Sequence, residues 1–466
     1  MPNHQPFALS RFPFLSFLLA TLFCAVFAAT AIAQTDNTIY SFTGSTDGAS
    51  PSSSLVADSS GNYYGTTFSG GSYSGSQCQY FGCGVVFKLS PNGSGGWTET
   101  PIYTFTGLAD GAGPAAGLVF DSGGNLYGTA AGGGINGNIC QIFSAAGCGV
   151  VFELSPNGSG GWTEKVLYSF RGNNDGWDPQ SPLTLDSSGN LYGTTSVGGP
   201  YQKCGDDGVG CGEIFKLSPN GSGGWTYTVL HFFTDGRDGA RPYSGVAINA
   251  AGDIFTTAEQ GGDDTGCNCG TVVELSPNGS GGYAFRVLHT FTGGNDGETP
   301  FGGLTIDSAG NIYGAAQNGA HDTAGICKIN GGCGAVFKLT PSGANYHFGV
   351  IYIFHGAADG WGPDTSFAID VSGNLYGGAY GTPSPISQTC KYGCGMIYKL
   401  TPSGSTWTES VLYAFTEGTD GGVISNTSVP TLNAAGNIVG TALEYGIPNG
   451  CSSYANGCGV VYEITP

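Results

Sequence analysis

The sequence contains little charge, and little of that charge is positive. Only 10% of its 466 residues are charged, and 13 Lys and Arg stand against 33 Asp and Glu, for a formal net charge of −20. Proteins that bind nucleic acid or anionic membranes need patches of Lys and Arg. The composition therefore excludes a nucleic-acid partner and indicates a soluble acidic protein.

Sequence signatures of several enzyme classes are also missing. The chain has no Gly-x-Ser-x-Gly elbow, no P-loop and no His-Glu-x-x-His pair, and it has only six His. Those motifs would indicate a serine hydrolase, a nucleotide site or a zinc protease. Nothing in the sequence indicates a cofactor or a metal site, and we expect neither.

Glycine, in contrast, is in large excess. It accounts for 85 of 466 residues, against an average share of about 7%. Collagen is excluded because there is no strict Gly-X-Y period and Pro numbers only 23. Hydrophobic residues at 40%, with 12% aromatics, can bury a large core and argue against disorder. Glycine this frequent also excludes a helical bundle, which leaves an all-β fold with many tight turns.

The first 33 residues have the pattern of a secretory signal. Arg11 is their only charged side chain, an apolar run follows over 12–28, and Ala31-Ile32-Ala33 precedes Gln34. This order predicts a signal peptide over 1–33, with a retained membrane anchor as the alternative. No later stretch approaches the ~18 apolar residues of a membrane span. We expect a secreted or cell-surface protein, with the periplasm as the alternative.

The rest of the chain is a tandem repeat. Variants of Gly-Asn-Leu-Tyr-Gly recur seven times, 58 to 65 residues apart. Their first glycines are Gly61, Gly124, Gly189, Gly252, Gly310, Gly373 and Gly436. Repeats with this spacing form arrays of small structural units. The array fills the sequence after the signal, so we expect residues 34–466 to form one domain.

Each unit predicts four short strands. In the second unit they fall at 113–121, from Leu126, at 149–154 and at 162–170, with Gly-, Pro- and Asn-rich turns between them. The chain begins with a fourth-strand segment at Ile39–Phe42 and ends at Pro466, before the fourth strand of the seventh unit. A ring would let the first segment complete the last sheet. This predicts a seven-bladed β-propeller, with an open solenoid as the alternative.

Three phrases identify a related family. Gly-Asn-Leu-Tyr-Gly-Thr-Thr stands at 189–195, Gly-Cys-Gly-Val-Val-Phe-Lys-Leu-Ser-Pro at 82–91 and Ile-Tyr-Thr-Phe-Thr-Gly at 102–107. In these phrases the chain resembles the GloVer-type tandem repeat of secreted or surface-anchored bacterial proteins of the choice-of-anchor group. The resemblance covers 37–466 and implies export and repetition, but it implies no reaction and no catalytic residues. Proteins of that group often end in an anchoring segment, and we expect none after Pro466.

The cysteine count indicates disulfides. Of 15 cysteines, 14 follow the signal, two in each unit, and both lie in the loop between strands two and three. An even count in an exported chain favours disulfides over metal sites, and the spacing is too variable for metal ligands. The expected pairs are Cys78–Cys83, Cys140–Cys148, Cys204–Cys211, Cys267–Cys269, Cys327–Cys333, Cys390–Cys394 and Cys451–Cys458. Cys267–Cys269 spans one residue, so we expect it to be strained and the most easily reduced.

The longer, more variable loops should share one face of a propeller, where ligands would bind. Asp-Gly recurs there in every unit, and we favour a turn over a ring of cation-binding carboxylates. The fourth unit and its borders depart most from the repeat, and a site would appear as such a departure. The candidate ligand-binding residues are Asp206, Asp207, Arg237, Asp238, Arg241, Glu259, Asp263, Asp264, Trp177 and Trp361.

These residues leave three functions open. A monomeric binding or scaffold module, for a glycan or a surface protein, is favoured. A glycan hydrolase or lyase would need two carboxylates about 5–10 Å apart in one cleft, at least one of them desolvated. A purely structural envelope component is the third reading. No catalytic residue can be named from the sequence.

Overall fold

Short antiparallel strands joined by tight turns form a ring of seven sheets. The computed structural model describes residues 35–466 except 72–77, 79–80, 135–139, 141–146, 173, 202–203, 205–208, 263–266, 321–326, 328–330, 357–358, 383–392, 426 and 447–456. Within those residues it contains 29 strands. Residues Asp36–Pro466 form one compact unit. The fold is an all-β, seven-bladed β-propeller, as predicted.

The first three blades have the same strand order, β2-β3-β4-β5 and its equivalents. Blade 1 contains β2 (Val56–Ala57), β3 (Tyr63–Thr67), β4 (Val85–Pro91) and β5 (Trp97–Thr104). Blade 2 contains β6 (Val119–Phe120), β7 (Leu126–Ala130), β8 (Val150–Pro156) and β9 (Trp162–Ser169). Blade 3 contains β10 (Thr184–Leu185), β11 (Leu191–Thr195), β12 (Glu213–Pro219) and β13 (Trp225–Phe232).

Blades 4 to 6 continue the pattern, and blade 6 gains a short extra strand. Blade 4 contains β14 (Ala247–Ile248), β15 (Ile254–Ala258), β16 (Thr271–Pro277) and β17 (Tyr283–Thr290). Blade 5 contains β18 (Thr305–Ile306), β19 (Ile312–Ala316), β20 (Ala335–Ser342) and β21 (Asn345–Ile353). Blade 6 contains β22 (Trp361–Pro363), β23 (Ala368–Ile369), β24 (Leu375–Gly381), β25 (Met396–Ser403) and β26 (Thr406–Ala414).

The N-terminal strand closes the ring, as expected. Blade 7 contains β27 (Thr431–Leu432), β28 (Ile438–Ala442), β29 (Val460–Thr465) and β1 (Thr35–Ser41), in the order β1-β29-β28-β27. Just past β1, the Phe42 N–H donates to the Gly459 carbonyl at 3.1 Å. Closure leaves each sheet only short, protected edges.

Strand one is shorter than the sequence predicts. In blade 2 it covers only Val119–Phe120, although 113–121 was expected. Pro114 lacks an N–H for pairing, and the segment between Pro114 and strand one directs its carbonyls to a neighbouring blade instead. The Ala115 carbonyl accepts from the Ser52 hydroxyl, and the Ala116 carbonyl accepts from Thr66 Oγ1, both at 3.1 Å. These segments meet their counterparts in neighbouring blades, so they surround the propeller axis.

A belt of threonines joins successive blades around that axis. A hydroxyl in strand two donates to a carbonyl of the next blade, at 2.8–3.3 Å, in five of the seven blades. The donors are Thr66, Thr129, Thr194, Thr257 and Thr441. Ala315 and Gly378 occupy the position in blades 5 and 6, so this side-chain bond is absent there.

The repeated glycine of strand two has a packing reason. A Cβ at Gly65 would lie 2.7 Å from Cζ of Phe87, which fills the blade core from strand three. Gly128, Gly193 and Gly314 meet a phenylalanine in the same way. Blade 4 exchanges both partners, with Thr256 opposite Val273. The glycine and the large ring are therefore one packing unit, which explains why the phrase repeats.

The meander places its loops on two faces. The turns that follow strands one and three lie at one end of each sheet, as expected for an antiparallel meander. At the other end, the loop between strands two and three bonds to the connection that enters the blade. In blade 1, Gly71 N–H donates to Ser45 O at 2.7 Å, and Ala49 exchanges backbone bonds with Ser69. We call this end the variable face.

Candidate functional site

The Asp-Gly aspartates of the variable face are turn residues. Each accepts bonds from a ring seven residues earlier and from the residue four earlier; Asp47, for example, accepts from the Tyr40 hydroxyl at 3.0 Å and from Thr43 N–H at 2.8 Å. The set is Asp47, Asp110, Asp175, Asp238, Asp296, Asp359 and Asp420. Donors within the turn therefore occupy these carboxylates, which is the favoured turn geometry.

The aspartates of the opposite face are turn residues as well. Asp121 accepts two backbone N–H groups, the Asn125 side chain and the Tyr127 hydroxyl. Burial alone would raise the pKa of this aspartate, but these bonds hold it below its usual value. Asp58, Asp186, Asp307 and Asp370 are bonded alike. The Asn-Gly-Ser asparagines cap their own turns; Asn92 Oδ1, for instance, accepts from Ser94 and Gly96 N–H.

Seven left-handed residues ring the inner end of the variable face. Each stands just before the proline or Ile424 that leads into strand one, with φ between 55° and 68°. They are Ser50, Gly113, Asp178, Arg241, Thr299, Gly362 and Val423. Five of the seven are not glycine, and the left-handed region is costly for Arg, Thr and Val. We call the inner end of the variable face the mouth, and we call this position in each blade the first mouth position.

The disulfide loops hold this ring in place. In every blade the N–H of the first mouth position donates to the carbonyl of the second cysteine of the preceding blade, at 2.9–3.1 Å. Cys83 holds Gly113 and Cys211 holds Arg241, for example. The cysteine staples therefore position the backbone of the mouth as well as their own loops.

Two more side chains per blade complete the mouth. The second mouth position follows the proline and holds Ser52, Ala115, Gln180, Tyr243, Phe301, Asp364 and Ser425. The third follows strand two, or in blade 6 lies within the longer β24, and holds Phe68, Ala131, Ser196, Glu259, Gln317, Tyr380 and Leu443. In six blades its N–H donates to the carbonyl of the first position, at 2.9–3.4 Å. One backbone thus carries different side chains around the axis.

Blades 3 to 5 concentrate the polar side chains. We call their nine mouth residues the polar arc; blade 3 contributes Asp178, Gln180 and Ser196. Asp178 is 6% exposed and accepts from Gln180 Nε2 at 2.8 Å and from the Ser196 hydroxyl at 2.9 Å. Burial raises the pKa of Asp178 despite these bonds. The carboxyl is therefore desolvated and fixed.

Blade 4 contributes Arg241, Tyr243 and Glu259. The Arg241 guanidinium hydrogen-bonds to the Tyr243 hydroxyl and lies close enough to Glu259 to oppose the effect of its burial. Burial nevertheless raises the pKa of Glu259 to about 7. Burial and the nearby carboxylates of Glu259 and Asp178 raise the pKa of Tyr243 to about 12. An arginine, a phenol and two carboxyls of elevated pKa therefore meet in one place.

Blade 5 completes the polar arc with Thr299, Phe301 and Gln317. The Phe301 ring lies beside that of Tyr243, with centroids 5.2 Å apart and a tilt of 32°. Both rings are half-buried. Together they form a small aromatic surface next to the Arg241 guanidinium.

The mouth of blades 7, 1 and 2 has no charged side chain among its nine residues. We call it the uncharged arc, and it consists of Ser50, Ser52, Phe68, Gly113, Ala115, Ala131, Val423, Ser425 and Leu443. Blade 6 stands between the arcs with a buried acid, Asp364, whose Oδ1 meets no hydrogen-bond partner within the described residues. Burial raises the pKa of Asp364 well above its usual value.

Eight of the ten expected site residues divide into four groups. Arg241 and Glu259 meet in the polar arc, whereas Asp238 is the turn aspartate bonded to His231 and Thr234, and Arg237 is exposed. Asp206, Asp207, Asp263 and Asp264 lie outside the described residues.

The two candidate tryptophans are less available than expected. Trp177 is 4% exposed, and its Nε1–H donates to Val209 O at 3.2 Å, so the indole belongs to the core rather than to a ligand surface. Trp361 is half-buried against Tyr380, with ring centroids 5.3 Å apart. It lies directly on Gly381, where a Cβ would overlap the indole.

The sequence did not single out Asp178, Tyr243 or Phe301. They flank the proline of a segment that the sequence predicts to be the start of strand one, where core packing is expected. The available signal was variety: the residue after that proline is Ser, Ala, Gln, Tyr, Phe or Asp in the first six blades. Core positions of the repeat vary far less.

Five expected disulfides are present. They are Cys78–Cys83, Cys140–Cys148, Cys204–Cys211, Cys267–Cys269 and Cys327–Cys333. Cys390–Cys394 and Cys451–Cys458 each include a cysteine outside the described residues. Within the described part of the chain, one cluster brings together three side chains of the kinds that bind metals. It consists of Cys267, Cys269 and Glu298, and its cysteines are disulfide-bonded. In the same residues no helix has the length and apolarity to cross a membrane.

The seams between blades also come in two kinds. One strand-four position faces the preceding blade in the same register throughout. In blades 3 to 5 it holds Tyr227, Phe285 and Phe348, which stack on Tyr168, His231 and His289 with centroids 3.5–4.0 Å apart. In blades 1, 2 and 6 it holds Glu99, Glu164 and Glu409, and each has a buried Oε1 that meets no partner within the described residues.

Burial and a nearby aspartate raise the pKa of these seam glutamates. The values are about 8 for Glu99 and about 7 for Glu164 and Glu409. The aspartates are Asp47, Asp110 and Asp359, which belong to the turns of the variable face. A carboxyl that ionises near neutral pH therefore lies in three of the seams.

Fold and repeat define the class of protein: a seven-bladed propeller built from a disulfide-stapled tandem unit. Residues 136–331 match the family model described as the Gloeobacter/Verrucomicrobia repeat. Over that range the match confirms the expected resemblance to the GloVer-type repeat. No curated protein matches the chain.

Solved structures share the architecture at low identity. An ulvan lyase of polysaccharide lyase family PL25 has 10% identity and a TM-score of 0.50, over 92% of this chain and 95% of the other. A fungal alcohol oxidase of the AA5 family, in complex with copper, has 12% and 0.50, over 93% and 76%. PorZ, a surface component of the type IX secretion system of Porphyromonas gingivalis, has 14% and 0.47, over 88% and 46%. The chain thus spans less than half of PorZ, and such identities show the fold alone.

Proposed function

We propose that this protein is a secreted or cell-surface β-propeller that binds carbohydrate at the polar arc. The signal over 1–33 would be removed, and residues 34–466 would act as one domain. The disulfides support an oxidising compartment, where such bonds persist. The function does not require a cofactor.

One observation carries the proposal. Arg241, Tyr243 and Phe301 place a cation and two adjoining rings at the inner end of the variable face, next to the carboxyl groups of Glu259 and Asp178. Sugars are bound by this combination, because rings cover their C–H faces while Arg, Asp, Glu and Gln bond their hydroxyls. A glycan that carries a carboxylate would also pair with the guanidinium.

Three polar side chains of the site stand on backbone in an unfavourable conformation. Asp178, Arg241 and Thr299 are held in left-handed conformations, although Gly113 and Gly362 fill the same position elsewhere. Strain of this kind is tolerated where a function needs the side chain. Ser50 and Val423 of the uncharged arc are left-handed as well. The polar arc therefore differs by its side chains, because three successive blades place polar groups on the strained backbone there, and this supports a ligand site on that side of the mouth.

The experiment is a glycan array with the full-length protein and its Arg241→Gly variant. Glycine suits the left-handed backbone, so the variant should keep its fold while it loses the guanidinium. We expect the protein to bind a restricted set of glycans and the variant to lose them. Binding that survives in Arg241→Gly, or no binding by either protein, would refute the proposal.

Catalysis on the bound glycan is the second candidate. Glu259 and the buried Asp178 both lie close enough to Tyr243 to raise the pKa of its hydroxyl. The pKa of Glu259 is about 7, and a carboxyl with a pKa near neutrality can serve as a general acid or base. Prolonged incubation of the bound glycan with the protein, followed by mass spectrometry, would detect shortened chains. Shortening that Glu259→Gln abolishes would favour an enzyme, and intact chains would leave a binding module.

A further inference from the structure

We propose that Cys267–Cys269 is a thiol–disulfide exchange site, with Glu298 as the acid–base group of its buried sulfur. Its substrate would be an accessible dithiol. The site lies on the variable face, where the strand two to three loop of blade 4 meets the connection into blade 5. It adjoins the polar arc, since the Thr299 N–H donates to the Cys269 carbonyl, but it does not depend on the proposed carbohydrate function.

Accessibility sets this pair apart. Cys267 is half-buried, whereas every other cysteine of the described disulfides is 5% exposed or less. Cys269 itself is 2% exposed. A thiolate from solvent can therefore approach Cys267 Sγ and leave Cys269 as the displaced sulfur, the geometry that exchange requires.

Loop size makes the bond labile. The pair is separated by one residue, against four to seven in the other described disulfides. The intervening Asn268 is left-handed, with φ 56°, and its Oδ1 accepts the Gly261 N–H at 2.5 Å. A strained and exposed disulfide is the kind that exchanges, in contrast to the buried structural staples.

A carboxyl lies beside the buried sulfur. Glu298 Oε2 is 3.6 Å from Cys269 Sγ, and one carboxylate oxygen and both sulfurs lie within 4.8 Å of one another. The backbone of Glu298 is fixed by two bonds to Asn318, at 2.9 and 3.1 Å. Thr299, the next residue, donates to the Cys269 carbonyl at 3.0 Å, which ties the two segments together.

The carboxyl is specific to this blade. The corresponding residue is Ala49, Ala112 or Ala240 in blades 1, 2 and 4. Gly293 makes room for the group: a Cβ there would lie 2.9 Å from Glu298 Oε2 and 3.1 and 3.3 Å from the two sulfurs. The shortest cysteine loop and the added carboxyl therefore occur together.

The reaction balances without another reactant. One thiolate of the substrate attacks Cys267 Sγ, the Cys267–Cys269 bond breaks, and Cys269 leaves with the electron pair and takes the proton of the Glu298 carboxyl. The second substrate thiolate then attacks the mixed disulfide and displaces Cys267, and solvent protonates both the Cys267 thiolate and the Glu298 carboxylate. The substrate dithiol loses two electrons and becomes a disulfide, while the protein gains two electrons and becomes a dithiol.

The test uses the oxidised full-length protein and a dithiol peptide. Quenching by alkylation and mass spectrometry would follow reduction of each cysteine pair in time. We expect Cys267–Cys269 to react at least about tenfold faster than the other pairs. Reduction of this pair together with the others, or after them, would overturn the proposal.

Glu298→Ala and Glu298→Gln test the acid–base role. Alanine reproduces the residue of three other blades, so this variant should fold. We expect exchange to slow about tenfold in both variants and its carboxyl-dependent change with pH to disappear. The control is Cys78→Ser/Cys83→Ser, which removes a buried disulfide of blade 1 and should leave the exchange rate unchanged. Equal rates and equal pH profiles in the wild type and both Glu298 variants would overturn the proposal.

Discussion

The polar arc and the uncharged arc share one backbone and differ in their side chains. In both, a left-handed residue donates to a cysteine carbonyl of the preceding blade and accepts from the residue that follows strand two. Arg241, Tyr243 and Glu259 occupy these positions in blade 4, where blade 2 has only glycine and alanine. The repeat therefore supplies the frame, and departures from the repeat supply the chemistry.

The aromatic surface should dominate ligand binding. We expect Tyr243→Ala to weaken glycan binding about 10- to 100-fold, because burying a ring contributes about 1.5–3 kcal/mol. Phe68→Ala, in the uncharged arc, is the matched control and should bind as the wild type does. Isothermal titration calorimetry would measure both. Equal losses in the two variants would contradict the division of the mouth into two arcs.

The disulfides behind the two arcs should differ in the same way. Cys204→Ser/Cys211→Ser removes the disulfide that fixes the loop whose Cys211 carbonyl accepts the Arg241 N–H. Cys78→Ser/Cys83→Ser does the same to the loop whose Cys83 carbonyl accepts the Gly113 N–H. Each pair should lower stability by up to about 2–3 kcal/mol. Only the first should also weaken glycan binding, by about tenfold. Denaturant unfolding and titration calorimetry would separate the two effects, and equal binding by both variants would disprove the positioning role.

Backbone strain can be relieved on the uncharged arc without loss of binding. Val423 has φ 58°, so Val423→Gly should raise the free energy of unfolding by about 1 kcal/mol. Gly113→Ala should lower it, because its φ is 62° and a Cβ would lie 2.9 Å from Phe68. Urea unfolding would measure both changes. A destabilised Val423→Gly variant would show that the left-handed position is not strained.

The seam glutamates predict a stability that falls with pH. Their pKa values in the folded protein, about 7 to 8, exceed the 4.5 of an unperturbed glutamate. The folded state therefore binds more protons, and stability falls from about pH 4.5 to about pH 8. Glu99→Gln should raise the melting temperature by about 2 °C at pH 9 and change it little at pH 4. An equal change at both pH values would contradict this.

The fold was readable from the sequence because its packing repeats. Glycine against phenylalanine, the Asp-Asn-Tyr turn and the paired cysteines recur in register, and the fourth-strand segment at Ile39 predicted closure. The length of strand one was not readable, because its bonds run between blades. Sequence spacing does not reveal that the Ala116 carbonyl meets Thr66.

The site was readable only in part. Arg241 and Glu259 stood out as charges in a chain with few of them, but their neighbours Tyr243 and Phe301 resembled ordinary core residues. Trp177 is the opposite case, because the sequence places it on a ligand surface and the structure buries it. Its indole fits inside because Gly198 leaves space, and a Cβ there would lie 2.5 Å from Trp177 Cδ1. Burial of this kind depends on contacts that the sequence does not record.

The central claim is that the polar arc, and not the propeller as a whole, binds the ligand. Titration of the best glycan from the array into Arg241→Gly and Val423→Gly tests it most directly, since both variants place glycine at the same position of the ring. We predict at least about 30-fold weaker binding for Arg241→Gly and unchanged binding for Val423→Gly. Equal affinities in the two variants would contradict the claim.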